Sequence, residues 1–177
     1  LEENKLDNFY EIIISSLLPK PDLVPSLSVS GFFTSQYYLS INKTNYLNVL
    51  LLNSGGDAAT DAGYKLYANS TLINYSYIGL INPLASALRK VAWRPNTEGS
   101  NELIVIANTT DEAIPENNIY KKKFIAVQTR NITVTVTNSS GYATLNLLSP
   151  LSTFGRLVSS PTVIELPYRY PYQLGFR

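Results

Sequence analysis

Cysteine, histidine and methionine are all missing from this chain of 177 residues, and tryptophan occurs only once. Without cysteine there is no disulfide, no thiolate nucleophile and no sulfur ligand for a metal. Without histidine the usual general base and the commonest metal ligand are missing as well. Charge is also scarce, since charged residues make up 15% of the chain and the net charge is +1. We therefore predict a protein that is not an enzyme, has no catalytic residues, needs no cofactor and binds no nucleic acid.

Long apolar runs are missing too. A membrane-spanning helix needs about 20 apolar residues, and the best candidate, Ile12 to Leu18, contains two serines and is bounded by Glu11 and Pro19. The sequence thus predicts no membrane span in the mature chain. Because the chain starts at Leu1 and contains no methionine, we expect an N-terminus from which a signal peptide has been removed, and hence an extracellular protein.

What the sequence does contain is a series of strand patterns separated by turns. Apolar, aromatic and β-branched residues predict strands at Phe32 to Ile41, Tyr46 to Leu52, Tyr64 to Leu80, Leu103 to Ala107 and Lys123 to Thr137. The last of these is predicted to form a hairpin with Tyr142 to Leu148, and only Pro83 to Lys90 is predicted to be helical. The fold class is therefore all-β: an antiparallel, immunoglobulin-like or pilin-like β-sandwich.

Three prolines divide the chain near its start. Pro19, Pro21 and Pro25 exclude a helix and favour an extended, semi-rigid connector. We accordingly predict a head segment at residues 1–18, a linker at 19–25 and a sandwich domain at 26–177.

The head segment supports two interpretations. Its spacing fits an amphipathic helix, with Leu6, Phe9 and Ile13 on one face, while its run of isoleucines favours a strand that is apolar on both faces. Such a strand, tethered by a stiff linker, can complete the sandwich of a neighbouring subunit and so build an open head-to-tail filament. The residues of this donor strand would be Phe9, Tyr10, Ile12, Ile13, Ile14, Leu17 and Leu18.

Six asparagines occur in the pattern Asn-X-Ser/Thr, which is the acceptor for N-glycosylation. They are Asn42, Asn69, Asn74, Asn108, Asn131 and Asn138. Chance predicts about three such patterns in a chain of this composition. The excess favours covalently attached N-glycans and agrees with an extracellular location.

Taken together, the processed N-terminus, the Phe9 to Leu18 head, the Pro19 to Pro25 linker, the multiple acceptor patterns and the absence of cysteine resemble the thread filament subunit of Sulfolobales archaea. They are also broadly similar to archaeal bundling pilins. The resemblance implies a homopolymer of identical subunits joined by donor-strand complementation, carrying N-glycans and acting in adhesion or biofilm formation at the cell surface.

Other functions have less support from the residues. Asp57 and Asp61 alone provide too few closely spaced oxygen ligands for a calcium loop, so no metal site is predicted. The run Lys121 to Lys123 is predicted to be a solvated strand that protects a sheet edge. The lone Trp93 is expected in the core or at an edge rather than as a sugar platform. The main alternative to a filament is a monomeric secreted β-sandwich adhesin or a surface-layer-associated carbohydrate-binding module. A secreted glycoside hydrolase would need two carboxylates across a cleft and has little support.

Overall fold

The structure, a computed structural model, describes residues 20–30, 38–135, 142–147, 154–159, 161–169 and 172–176. The predicted donor residues and Asn138 lie outside these ranges. The strands are β1 (Leu23–Ser30), β2 (Tyr38–Ser40), β3 (Asn45–Asn53), β4 (Ala59–Ala68), β5 (Thr71–Ile81), β6 (Ser86–Trp93), β7 (Gly99–Asn108), β8 (Ile119–Val127), β9 (Thr129–Val134), β10 (Tyr142–Leu147), β11 (Phe154–Ser159), β12 (Thr162–Pro167) and β13 (Tyr172–Phe176). One 3₁₀ turn, Pro115–Asn117, precedes β8.

Two sheets enclose the main core. One has the antiparallel order β1-β3-β6, and the other has the order β2-β8-β7-β4-β5, in which only the short β2 pairs in parallel, with β8. Alternate residues of β3 and β7 face inward, as a strand period of two requires: Leu47, Val49 and Leu51 from β3 are buried together with Leu103 and Val105 from β7. The predicted all-β sandwich is confirmed.

Strand β1 contributes to this core from the residues nearest the predicted linker. Leu23 is completely buried, and Pro25 lies opposite Leu51 in the ladder to β3. Leu23, Val24 and Pro25, which the proline pattern placed in the linker, are therefore the first residues of β1. Proline is tolerated here because β1 is an edge strand in the described part of the sheet.

The segment predicted as one strand from Tyr64 to Leu80 is two strands, β4 and β5, that form a hairpin. The chain reverses at Asn69 and Ser70, whose φ angles are 46° and 69°. A tight two-residue hairpin turn of this kind needs positive φ at both central positions, and asparagine tolerates that conformation better than most residues.

The helix predicted at Pro83 to Lys90 is wrong. Pro83 and Leu84 form a turn, and from Ser86 the chain is strand β6, which pairs with β3 along its whole length. Val91 is buried and Ala87 and Trp93 pack against the core. The alternation of these residues with exposed Leu88 and Lys90 has period two, so tertiary pairing outweighs the local helix preference.

The predicted hairpin between Lys123–Thr137 and Tyr142–Leu148 is also wrong for the residues that the structure describes. Strand β9 pairs with β12, and β10 lies between β11 and β13. The longer prediction also joined β8 to β9, which are separated at Gln128. Alternating valine and threonine residues indicate a strand but do not select its partner, and here the partner comes from farther along the chain.

Candidate functional sites

The four edges of the two main sheets differ in their protection. An unpaired sheet edge invites pairing with another chain, and proteins commonly guard it with charge, proline or short length. Strand β1 contains Pro25, β6 contains Arg89 and Lys90, and β2 has only three residues. Strand β5 is eleven residues long and contains neither a charged residue nor a proline. Within the described residues it is the unguarded edge.

The side chains of β5 reinforce this difference. Tyr75 and Tyr77 are 73% and 69% exposed, and Leu72 and Leu80 are also exposed. The tyrosines lie opposite Lys65 and Gly63 of β4, which provides no large apolar side chain to cover them. We call Leu72, Tyr75, Tyr77 and Leu80 the β5 surface; it combines unused backbone groups with apolar area that a partner could bury.

The predicted glycan acceptors differ in accessibility. Asn42, in the turn after β2, Asn108, at the end of β7, and Asn131, in β9, are exposed. Asn69 is exposed as well, but its amide Nδ2 donates to Asn101 Oδ1 at 2.9 Å and its Oδ1 accepts from the Glu102 amide. The first three asparagines are therefore the better acceptors among the five that the structure describes.

Asn74 is the least suitable acceptor. Its side chain is half-buried, and its Oδ1 accepts a hydrogen bond of 3.0 Å from the hydroxyl group of Tyr64. Burial raises the pKa of Tyr64, so the hydroxyl group stays a donor across the physiological range. A glycan is attached through Nδ2, so it is the half-buried position of the side chain, held by this contact, that disfavours glycosylation of Asn74. We therefore expect the middle of β5 to be free of sugar.

A buried asparagine, Asn53, connects the start of β1, the turn after β3 and the end of β5. Asn53 is completely buried, and its Oδ1 accepts hydrogen bonds from the backbone amides of Asp22 and Gly55. Its Nδ2 donates to the backbone oxygens of Asp57 and Ile81 at 2.8 and 3.0 Å. All four hydrogen-bonding positions of the amide are used. The sequence does not single out Asn53, because Asn53-Ser-Gly-Gly-Asp57 has the composition of an ordinary exposed turn.

Position 55 requires glycine because there is no room for a larger residue. A Cβ atom there would lie 2.1 Å from the backbone oxygen of Lys20 and 2.7 Å from the amide nitrogen of Asp22. Such close backbone approach admits only glycine. The turn after β3 is thus packed directly against the beginning of β1.

Asp61 in β4 has a different role from the metal ligand considered for the pair with Asp57. Its Oδ1 accepts hydrogen bonds from the Thr109 hydroxyl group at 2.6 Å and from the Thr110 amide at 2.9 Å. These bonds lower the pKa of Asp61 to about 2, with the side-chain bond from Thr109 the largest cause. Asp61 therefore ties β4 to the loop after β7.

In the described ranges no three Asp, Glu, His or Cys residues group as metal ligands.

The low pKa of Asp61 predicts a pH-dependent contribution to stability. Because the folded value lies below the unfolded one, the contribution is present above about pH 4 and is lost as the pH falls towards 2. We expect Asp61→Asn to lower the free energy of unfolding at pH 7 by about 0.5–1 kcal/mol, a modest value because the group is solvated. Guanidinium melts at pH 7, 4 and 2.5 would measure the difference, which should fall to less than half of its pH 7 value at pH 2.5, close to the folded pKa.

The matched control is Asp57→Asn, an exposed carboxylate in the preceding turn, which should change the stability by less than about 0.5 kcal/mol at each pH. A loss in Asp61→Asn that stays constant from pH 7 to 2.5 would contradict the assignment.

The remaining predicted residues lie apart from these sites. Lys121 and Lys123 are exposed on the outer face of β8, where Lys123 lies opposite Glu102 of β7. Trp93 packs against the core, as expected. None of the helices in the described ranges has the length and apolar character needed to cross a membrane.

Two facing sheets, a core filled by alternating strand residues and an edge at β5 that no described strand covers define a β-sandwich module. The CARDB family model matches residues 20–122, which is more than half of the chain, and the chain belongs to this family. A comparison with curated proteins gave no match.

Solved structures share the fold. A CARDB domain from Pyrococcus furiosus, solved in complex with di-metal ions, is 22% identical and superposes with a TM-score of 0.56 over 64% of this chain and 99% of its own. A domain of a Methanosarcina acetivorans protein assigned to the cell surface is 20% identical, with a TM-score of 0.52 over 61% of this chain and 93% of its own. At these identities the likeness concerns the fold.

Proposed function

We propose that this chain is an N-glycosylated structural module of an archaeal cell surface that associates with identical chains by strand addition along β5. The observation that carries the proposal is the unguarded β5 edge with its exposed tyrosines and leucines. The M. acetivorans neighbour's assignment to the cell surface, membership of the CARDB family and the exposed glycan acceptors support an extracellular setting.

The head segment is the proposed partner of this edge. Phe9 to Leu18 covers ten residues and β5 covers eleven, so at about 3.3 Å per residue a head added as an extended strand would match the length of β5, about 33–36 Å. Added beside β5 of a neighbouring copy, the head would cover the β5 surface with apolar side chains. Donor and acceptor are different surfaces, so each added copy leaves a new free edge and the assembly grows head to tail.

Truncation tests this function. We expect the full chain to form filaments or large oligomers, seen by negative-stain imaging and light scattering, and a chain that lacks residues 1–18 to remain a monomer near the subunit mass. A peptide of residues 6–18 should bind the truncated chain, whereas a peptide of the same length with Ile13→Lys should not. Filaments formed by the truncated chain would refute the proposal.

The exposed tyrosines also favour a second function, a monomeric carbohydrate-binding adhesin. Tyr75 and Tyr77 lie two residues apart on one strand and therefore on one face, and aromatic rings can stack on sugars. In that case the full chain would be monomeric, and binding to a glycan array would be lost in Tyr75→Ala.

A further inference from the structure

A cluster of polar side chains lies beneath the surface where β1 begins. Asp22 is 5% exposed; its Oδ1 accepts a hydrogen bond of 2.8 Å from Asn117 Nδ2, and its Oδ2 accepts one of 2.5 Å from the hydroxyl group of Ser54. Glu112 Oε1 accepts from the amide of Leu23 at 2.6 Å. The loop after β7 and the 3₁₀ turn therefore bring a second carboxylate and two amides against the start of β1.

Three oxygens in this cluster have no hydrogen-bond partner although they are buried: Glu112 Oε2, Asn117 Oδ1 and Asn118 Oδ1. Asn118 is only 7% exposed, and its side chain lies against the carboxyl group of Glu112. An unsatisfied buried acceptor is unfavourable, because it has lost its hydrogen bonds to water without gaining others. Three such acceptors from neighbouring residues indicate that a group able to serve all of them belongs there.

Exchanging the amide atoms of Asn117 does not remove the problem. The Nδ2 atom of Asn117 already donates to Asp22 Oδ1, so the reversed amide would turn its oxygen towards a carboxylate. The orientation of Asn117 is thereby fixed by its partner, and its Oδ1 remains an acceptor without a donor.

The cluster is also short of positive charge. Within the described residues no lysine or arginine forms an ion pair with Asp22 or Glu112, and the nearby Lys20 pairs instead with Asp111 at the surface. Two carboxylates that lie close together below the surface without a cationic partner are a setting that a cation would stabilise.

We propose that Glu112, Asn117 and Asn118, assisted by the charge of Asp22, bind a hard divalent cation of the calcium type. The oxygen atoms available as metal ligands are all carboxylate or amide oxygens, which suit calcium and magnesium rather than zinc or copper. Calcium takes six to eight oxygen ligands, so water would complete its shell. The ion would pin the loop after β7 to the beginning of β1. With two carboxylates the affinity should be that of extracellular modules, a Kd of about 0.1–1 mM.

Thermal unfolding of the full chain at pH 7 tests this site. After treatment with EDTA and dialysis, 10 mM calcium chloride should raise the unfolding midpoint by about 3–6 °C, because a ligand that binds only the folded state stabilises it. The same addition should have an effect below about 1 °C on Glu112→Gln. The control Glu116→Gln removes an exposed carboxylate of the same loop and should respond like the wild type.

A second variant keeps the test decisive if Glu112→Gln folds poorly. Asn118→Asp adds a carboxylate where an amide oxygen now lies, so calorimetric titration with calcium should give one ion per chain and a Kd at least about threefold lower than for the wild type. Magnesium should bind more weakly because it gives up its water reluctantly. No calcium response in the wild type, an equal response in Glu112→Gln, unchanged affinity in Asn118→Asp or equal binding of magnesium would each overturn the proposal.

Discussion

Asn53→Ala is expected to lower the free energy of unfolding by about 3–5 kcal/mol, a large part of the 5–15 kcal/mol that stabilises a typical domain. The substitution removes a few atoms but leaves four backbone groups without a partner: the amides of Asp22 and Gly55 and the oxygens of Asp57 and Ile81. The cost per group, about 1–3 kcal/mol when buried, is reduced only where water can enter the space.

Urea or guanidinium melts at pH 7 would measure this loss, with Asn48→Ala as the control. Asn48 lies on the outer face of the same strand and is half-exposed, so its replacement should change the stability by less than about 0.5 kcal/mol. Asn53→Asp is a second test variant. Its carboxylate keeps the two acceptor contacts, but a carboxylate oxygen would face the backbone oxygens of Asp57 and Ile81 and could not donate to them. It should be nearly as unstable as Asn53→Ala. A loss below about 1 kcal/mol in both variants would show that the hydrogen-bonded hub is not needed.

Asn53 also marks the limit of what the sequence could predict. The predicted strands at Tyr46 to Leu52 and Leu103 to Ala107 are β3 and β7, because a short run of apolar residues is a local property of the sequence. The polar residues that join the loops were not predicted. Asn53, Asn117 and Asn118 all stand in turn-like sequences, where asparagine is usually exposed, and their partners lie up to 95 positions away.

Pairing was predicted less well than strand identity for the same reason. The local pattern of Pro83 to Lys90 suggested a helix, and only the neighbouring β3 explains why the segment is β6. Likewise, the unguarded character of β5 depends on the sheet order, since the same residues in a central strand would present no free edge. Function at a sheet edge is therefore visible only after the strands have been arranged.

Tyr75→Glu should abolish the self-association of the full chain while leaving the fold intact. Tyr75 is 73% exposed and lies opposite Lys65 of β4, so the new carboxylate can interact with a lysine across the strands at little cost in stability. At the edge, however, the same charge would have to be desolvated whenever a second chain is added alongside β5, which disfavours pairing. Light scattering and imaging should show a shift from filaments to monomers at all concentrations that are accessible.

The matched control is Leu88→Glu. Leu88 is 57% exposed on β6, the edge strand that already carries Arg89 and Lys90. The variant therefore replaces an exposed apolar residue by the same carboxylate, but outside the β5 surface. We expect its assembly to equal that of the wild type. If Leu88→Glu prevents assembly and Tyr75→Glu does not, the contact lies on the three-stranded sheet instead. If neither variant changes assembly, strand addition along β5 is wrong, because a glutamate there would have to lose its hydration when the second chain is added.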